Sequence, residues 1–200
     1  MKLTVYSEAK IDDLKKQYDS LKAGKGSLLD IIFESEMPES VYNSNAIENS
    51  TLTIDETEKI LLEMEVSRNT SVREVFEAKS LARVFEYIRE KVAAKDLKKE
   101  LLLFLHQMLI SNIDEDIAGR FRGKNEYVRV GSHIAPAPEH VESMIDAALV
   151  DYSSNHASHF VERIARFHLE FERIHPFVDG NGKSEVELFF LSFLCDRVFK

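Results

Sequence analysis

The nine residues from His175 to Lys183, His-Pro-Phe-Val-Asp-Gly-Asn-Gly-Lys, combine side chains that activate a hydroxyl with side chains that bind phosphate. A histidine titrates near neutrality, so His175 is a candidate general base that takes a proton from an attacking hydroxyl. Asp179 offers hard carboxylate oxygens, which suit a magnesium ion that bridges phosphates. Together they predict phosphoryl or nucleotidyl transfer.

The same segment predicts an anion cradle. Gly180 and Gly182 can take backbone angles that other residues resist, which lets consecutive N–H groups turn toward one anion. Asn181 can donate through its side-chain amide to a phosphate oxygen, and Lys183 adds a positive charge. The apolar stretch that follows predicts a helix, whose first N–H groups and positive dipole end also favour phosphate.

Each of these residues also has a plain structural interpretation. A lone histidine or a pair of glycines is more often structural than functional. Phe177 is best explained as a core residue that anchors the loop. The sequence Gly-Lys-Ser at 182–184 is shared with P-loops, but a P-loop needs glycine where Phe177 stands and a strand where this sequence predicts a helix, so we reject it. Outside the hairpin, His168 is interpreted as a structural residue of a buried helix, and the other histidines are interpreted as ordinary polar residues: His106, His140, His156 and His159.

The elements that must position this loop are mainly helical. Four prolines and seven glycines in 200 residues leave few breaks, and no linker or repeat divides the chain. Helical spacing of apolar residues extends over Thr53 to Glu65, Val72 to Ile88 and Leu97 to Leu109, and a capping-box pair, Thr53 and Glu56, opens the first of these. Its predicted buried stripe is Ile54, Thr57, Ile60, Leu61 and Met64. We expect an all-α fold forming a single domain over residues 1–200.

Two further helices and a hairpin complete the predicted architecture. A helix from Ala157 to Ile174 leads directly into the loop, with apolar spacing at Phe160, Ile164, Phe167, His168 and Phe171. Another is predicted from Glu139 to Val150. Between Arg122 and Ile134, Tyr127, Val128 and Val130 supply β-propensity and the glycines supply turns, which predicts a short β-hairpin or flap.

Composition narrows the class of partner. The formal net charge of −9 and pI near 5.3 argue against nucleic acid and anionic membrane, since both need a basic face. The single cysteine, Cys195, excludes a disulfide framework and a cysteine zinc site. The early residues are too charged for a signal peptide, and no apolar run approaches the ~20 residues of a membrane span. We expect a soluble, cytoplasmic protein with a nucleotide or protein partner.

These motifs resemble the Fic (filamentation induced by cyclic AMP) family, whose signature is His-Pro-Phe-x-Asp/Glu-Gly-Asn-Gly-Arg-x-x-Arg. Positions 175–182 match it in full. Ser44-Asn-Ala-Ile-Glu48-Asn49 resembles the inhibitory motif of members with an N-terminal inhibitory helix, here within residues 40–65. The segments at 119–122, 128–131 and 136–138 are similar to the approach and exit of the family's target-docking flap.

The resemblance implies a protein adenylyltransferase. His175 would deprotonate a Ser, Thr or Tyr hydroxyl of a target protein, which would attack the α-phosphorus of ATP and expel pyrophosphate. Asp179 would bind Mg²⁺, and the phosphates would lie against residues 180–183. The flap, which would pair with the target as an added strand, comprises Val128, Arg129, Val130, Gly131, Ser132, His133 and Ile134.

The resemblance also implies autoinhibition. Ser44, Glu48 and Asn49 would belong to a helix that keeps ATP in an unproductive pose. Considered alone, Glu48 would be a solvated helix carboxylate; beside the loop motif, regulation is the favoured interpretation.

The sequence departs from the family at the end of the signature. Lys183 replaces the first arginine and keeps only its charge. Val186 replaces the second arginine, which in the family helps to hold the γ-phosphate and pairs with the inhibitory glutamate. No family pattern continues from Ser184, and one hypothesis is that a frame shift truncates the chain there.

Three functions are therefore carried forward. The leading one is AMP transfer, weakened by the loss of the second arginine. The others are a non-catalytic module that binds nucleotide or protein, and a kinase-like transfer of the γ-phosphate. The target protein, the removal of AMP and the oligomeric state, including a homo-oligomer, are left open.

Overall fold

The computed structural model describes residues 4–47, 49–92 and 97–181. Within these ranges the chain forms seven α-helices and one two-stranded hairpin. The helices are α1 (Val5–Lys22), α2 (Gly26–Ile47), α3 (Ile54–Glu58), α4 (Val72–Tyr87), α5 (Lys99–Ile110), α6 (Pro138–Ser154) and α7 (Phe160–Ile174). The strands are β1 (Arg129–Val130) and β2 (His133–Ile134). A mainly helical fold with a short hairpin is thus confirmed, although α1 and most of α2 lie where no helix was predicted.

Short π-helical turns extend two of the helices. Lys59–Glu63 continues α3, and Ile88–Val92 continues α4. The capping box that opens α3 is confirmed, because Thr53 Oγ1 accepts from Glu56 N while a Glu56 carboxylate oxygen accepts from Thr53 N.

The predicted buried stripe of this first segment is only partly correct. Thr57 and Ile60 are buried, but Ile54 and Met64 are 46% and 70% exposed. The π turn accounts for the difference at the C-terminal end, because it changes the angle between successive side chains from the α-helical value. Met64 then leaves the helix in a left-handed conformation, with φ 58°.

The core lies between helices that meet in pairs. Helix α6 packs on α7, α4 packs on α5, and α2 packs on both α3 and α4. The stripe on α7 is buried at Ile164, Phe167, Phe171 and Ile174, in steps of three and four residues. Phe160 and His168 of the same predicted stripe are only partly buried. The apolar face of α7 therefore packs against the core. The loop at 175–181 begins at the buried C-terminal end of this helix.

The hairpin has a tight two-residue turn. Arg129 pairs with Ile134 and Val130 with His133, in antiparallel register, with Gly131 and Ser132 between them. Gly131 takes φ 59°, an angle that tight hairpin turns require and glycine adopts easily. Across the described ranges, no helix combines the length and apolar character needed to cross a membrane.

Candidate active site

The backbone at the end of α7 turns sharply at His175. This residue takes a left-handed conformation, with φ 49° and ψ 67°, and its N–H donates to Phe171 O at 2.8 Å. Non-glycine residues rarely adopt such angles, so surrounding contacts must hold the turn. The turn ends the helix and directs residues 176–181 along the ends of neighbouring elements.

A buried arginine supplies those contacts. Arg122 is 2% exposed, and its Nε donates to His175 O at 2.8 Å while Nη2 donates to Ile174 O at 3.1 Å. Nη2 also donates to Pro136 O, and the Arg122 backbone N–H donates to Pro176 O at 2.9 Å. One guanidinium thus ties the last carbonyls of α7 to the chain on both sides of the hairpin. Sequence reasoning gave Arg122 no such role.

Phe177 anchors the loop in the core, as predicted. It is 1% exposed and its ring stacks on the ring of His106, with centroids 3.8 Å apart. Asn181 closes the loop onto it, because the Asn181 side chain accepts from Phe177 N and donates to Phe177 O. The Asn181 side chain, which the sequence predicts to donate to a phosphate, is 2% exposed and bonded to the loop's own backbone, and the phosphate contact stays a prediction.

His106 of α5 supports the loop from below, which corrects its interpretation as an ordinary polar residue. Its Nδ1 accepts from Gly119 N at 3.0 Å, so the proton must be on Nε2, which donates to Asp179 O at 3.0 Å. Burial lowers the pKa of His106 to about 4, an effect that the bond to Asp179 only partly opposes. The neutral ring therefore bridges two loops, and its place among the buried leucines of α5 was the available sequence signal.

Gly180 is required by its backbone angle and by packing. It takes φ 65°, and a Cβ at this position would lie 2.7 Å from Ile110 Cδ1 and 3.0 Å from Ile110 Cγ1. Gly180 does adopt a backbone angle that other residues resist, as predicted. This angle and the missing side chain let the loop pack against the end of α5. The Gly180 N–H donates to Asp179 Oδ1 at 2.8 Å.

The Asp179 carboxylate is the charged centre of the loop. Besides the Gly180 N–H, it accepts from Arg73 Nη2 of α4 at 2.7 Å through Oδ2. Burial would raise the pKa of Asp179, but these two donors hold it below its usual value. The carboxylate is ionised at neutral pH, and Arg73 is a site residue that sequence reasoning missed.

The imidazole of His175 is neutral. Burial, with the charge of Arg122 and His133 nearby, lowers the pKa of His175 to about 4, whereas the sequence interpretation assumed titration near neutrality. Its Nδ1 is buried and has no hydrogen-bond partner in the described part of the chain. The imidazole is therefore unprotonated at pH 7, the state that a general base requires.

A cavity of about 540 Å³ brings these groups together. Its walls come from the loop, the hairpin, α4, the end of α5 and the segment after α2. The lining residues are Asn49, Ser50, Arg73, Glu74, Glu77, Ile110, Arg129, Val130, Gly131, His175, Val178, Asp179, Gly180 and Asn181. Residues predicted for the loop, the flap and the inhibitory segment therefore line one space.

The segment after α2 is fixed at the cavity rim by Glu74 of α4. One Glu74 oxygen accepts from Thr51 N, Thr51 Oγ1 and Ser50 Oγ at 2.5, 2.9 and 3.1 Å. Asn49 has φ 65° and lines the cavity, whereas Ser44, five residues earlier in α2, is fully buried. Glu48 lies outside the described residues.

The hairpin is held to α7 by His133, whose Nε2 lies 3.0 Å from Arg173 O. Arg129, Val130 and Gly131 line the cavity, so β1 is the strand nearer to it. Ile134 is 71% exposed on β2. Of the predicted phosphate-binding residues, Gly182 and Lys183 lie outside the described residues, as does Val186.

The residues present fit a magnesium ion that is bound by one protein carboxylate together with substrate phosphates and waters. Asp179 is ionised, faces the cavity and keeps 43% of its side chain exposed. The described residues contain no cluster of three or more His, Cys, Asp or Glu side chains able to hold a metal. Magnesium is commonly bound by one or two carboxylates plus substrate phosphates and waters, and Asp179 matches that pattern.

Comparison with known proteins points to one family. Residues 96–192 match the model of the Fic/DOC family. The chain is 30% identical over 183 residues to "Protein adenylyltransferase Fic" of Drosophila melanogaster, and 28% identical over 179 residues to the protein of that name from Nematostella vectensis. Each match covers 88% of this chain, but only 37% and 41% of the relative, so the chain spans well under half of their length.

Solved structures share the fold. A Fic domain containing signaling protein from Bacteroides thetaiotaomicron superposes with a TM-score of 0.81 at 25% identity, covering 94% of this chain and 72% of that one. A Fic family protein from Desulfovibrio desulfuricans gives a TM-score of 0.78 at 23% identity, covering 97% and 58%.

Proposed function

Because this chain belongs to the Fic/DOC family, we propose that it transfers the AMP part of ATP to a hydroxyl group of a target protein. The observation that carries the proposal is the common cavity of His175, Asp179 and Gly180. It holds a neutral base, an ionised carboxylate and a glycine turn within one loop. Relatives named protein adenylyltransferase support the same reaction class.

The reaction follows from these side chains. The neutral imidazole of His175 takes the proton of a Ser, Thr or Tyr hydroxyl, and the hydroxyl oxygen attacks the α-phosphorus. The bond from that phosphorus to the bridging oxygen breaks, and pyrophosphate leaves. Bound Mg²⁺ would neutralise phosphate charge, with Asp179 as its protein ligand. Arg122 keeps the base in place by holding the carbonyl of His175.

The target segment is proposed to add to the hairpin. The hairpin has two strands in the described structure, and β1 lines the cavity that contains His175. An extended peptide paired with β1 would present its hydroxyl to the imidazole while its backbone groups remain hydrogen-bonded.

Autoinhibition by the segment containing Ser44, Glu48 and Asn49 is part of the proposal. Asn49 and Ser50 line the cavity, and Glu74 holds the segment there. A carboxylate from Glu48 in this neighbourhood would repel phosphates and limit the pose of ATP.

Labelled ATP tests the proposal. Purified protein is incubated with Mg²⁺ and ATP labelled at the α- or γ-phosphate, alone and with cell extract. Protein-bound α-label that increases in Glu48→Gly and disappears in His175→Ala is expected. His140→Ala, which changes an exposed histidine outside the cavity, is the matched control and should behave as wild type.

The other outcomes overturn the proposal in distinct ways. Label from the γ-position alone would indicate a kinase-like reaction. ATP binding without transfer in Glu48→Gly would indicate a binding module instead of an enzyme.

A further inference from the structure

Arg73 joins α4 to the loop through two carboxylates. Its Nη2 donates to Asp179 Oδ2 and its Nε donates to Glu77 Oε1, both at 2.7 Å. Glu77 lies one helical turn along α4, so it fixes the guanidinium beside the loop without help from other elements. The side chain is 54% exposed and lines the cavity.

The Asp179 carboxylate accepts hydrogen bonds from two groups that commonly bind phosphate. One is the Arg73 guanidinium, and the other is the Gly180 N–H at the glycine turn. Guanidinium groups and backbone N–H groups at glycine turns both bind phosphate oxygens strongly. An internal carboxylate thus accepts from two groups that are also suited to bind the oxygens of an external anion.

The charges that line the cavity determine whether it can bind a triphosphate. Among the described residues that line it, Arg73 and Arg129 are the cations and Glu74, Glu77 and Asp179 are the anions, while His175 is neutral. This lining carries one more negative than positive charge. A triphosphate would be repelled unless a cation neutralised Asp179 and a lining arginine turned to the phosphates.

We propose that Arg73 is a phosphate-binding residue for ATP, which Asp179 keeps paired until Mg²⁺ takes the carboxylate. The inference rests on the proposed function, because it concerns the nucleotide of the same site. With Mg²⁺ held by Asp179, the carboxylate would no longer need Arg73 to neutralise it, and the Arg73 guanidinium would be free to bind the phosphates. Glu77 retains its bond to Nε, so the arginine moves by a change of partner at Nη2 alone.

A purely structural role for Arg73 makes different predictions. If the guanidinium only linked α4 to the loop, its removal would lower stability and leave ATP affinity unchanged. If it only blocked Asp179, its removal would strengthen ATP binding in Mg²⁺. A binding role requires weaker ATP binding in Mg²⁺ at unchanged fold.

Calorimetric titration with ATP, and separately with AMP, distinguishes these roles. In Mg²⁺, Arg73→Gln is expected to weaken ATP binding by about tenfold, the effect of one charge-assisted contact. AMP lacks the phosphates that a metal bridges, so its affinity should change less. Arg83→Gln removes the same charge from an exposed position on the same helix and is expected to bind ATP as wild type does.

Titration without Mg²⁺ tests the pairing itself. Asp179→Asn removes the competing carboxylate, so ATP alone should bind several-fold more tightly than it binds wild type. Adding Arg73→Gln to that variant should abolish the gain, since the freed arginine is its cause. Circular dichroism and thermal melting confirm that each variant is folded.

The outcomes separate the two proposals. Equal ATP affinity of Arg73→Gln and wild type in Mg²⁺, or tighter binding by Arg73→Gln, would overturn the inference about Arg73. An Asp179→Asn gain that persists in the double variant would overturn it as well. Failure of wild type to bind ATP at all would instead overturn the proposed function.

Discussion

At the scale of single residues, His175 owes its chemical state to its surroundings. The residue is 9% exposed at the C-terminal end of α7, and charge repulsion from Arg122 adds to the cost of protonating it. A protonated imidazole could not accept the proton of a hydroxyl. The fold therefore keeps this imidazole neutral at a pH where a free histidine would be partly protonated.

This state can be measured directly. Proton NMR titration should show His175 remaining neutral down to about pH 5, because its pKa is lowered to about 4. The resonance is assigned by its absence from the spectrum of His175→Gln. A midpoint near 6.5, the value of an unperturbed histidine, would contradict the structure.

Gly180 provides a second test at this scale. Gly180→Ala should destabilise the protein by about 2–4 kcal/mol, because it adds overpacking against Ile110 to the strain of a positive φ. Gly24→Ala is the matched control, since Gly24 has φ 74° but open space around it, and its cost should be about 1 kcal/mol.

The cause of the larger loss can be isolated. Ile110→Val removes Cδ1, the nearest atom to the new methyl group, so combining it with Gly180→Ala should recover part of the lost free energy of unfolding. Equal destabilisation by the two glycine substitutions would show that packing at Gly180 is unimportant.

At the scale of elements, the loop at 175–181 is held by parts of the chain that are distant in sequence. Arg122 holds it from the base of the hairpin, His106 from α5 and Arg73 from α4. The loop itself contributes the Asn181 bonds to Phe177. The geometry of the candidate site therefore depends on the packing of α4, α5 and α7.

Arg122→Ala should be strongly destabilising for this reason. It leaves several buried carbonyls without a donor, and the expected loss is about 3 kcal/mol or more in the free energy of unfolding. Urea unfolding measures it. Arg120→Ala, two residues away, removes an ion pair with Glu126 at a side chain that is 41% exposed, and should cost roughly 1 kcal/mol or less. Similar losses of unfolding free energy in both variants would contradict the role of Arg122 in holding the carbonyls at the end of α7.

At the scale of the whole molecule, two neutral histidines make stability depend on pH. Both His106 and His175 have their pKa lowered to about 4 in the folded chain, against 6.5 unperturbed. Between these values the unfolded chain binds more protons than the folded chain. The histidine contribution is complete above about pH 6.5 and is lost as the pH falls toward 4.

Unfolding at a series of pH values should show this loss. The free energy of unfolding is expected to fall between about pH 6.5 and 4.5, and less steeply in His106→Gln, which lacks one of the titrating groups. His140→Gln removes an exposed histidine outside the cavity and serves as control. An identical slope in wild type and His106→Gln would refute a buried neutral His106.

Local signals explain which parts of this fold could be predicted. Helices α4 to α7 have apolar stripes at regular spacing, and Gly131 marks the hairpin turn. Helix α1 exposes Tyr6, Leu14 and Leu21, so its apolar residues do not form a buried stripe from which a helix could be predicted. The stripe after Thr53 failed at Met64 because a π turn, which leaves no clear local signal, changed the helix period.

The sequence by itself determined the chemistry that the loop can carry, because base, carboxylate and glycine turn lie within a few consecutive positions. It also determined the helical class, since apolar residues recur with the 3.6-residue period of an α-helix in several segments. Only the tertiary structure decided that His175 is neutral, that Asn181 faces its own loop and that Arg73 reaches Asp179. Those properties depend on burial and on contacts between residues as far apart as 106 positions, and no local pattern encodes such distances.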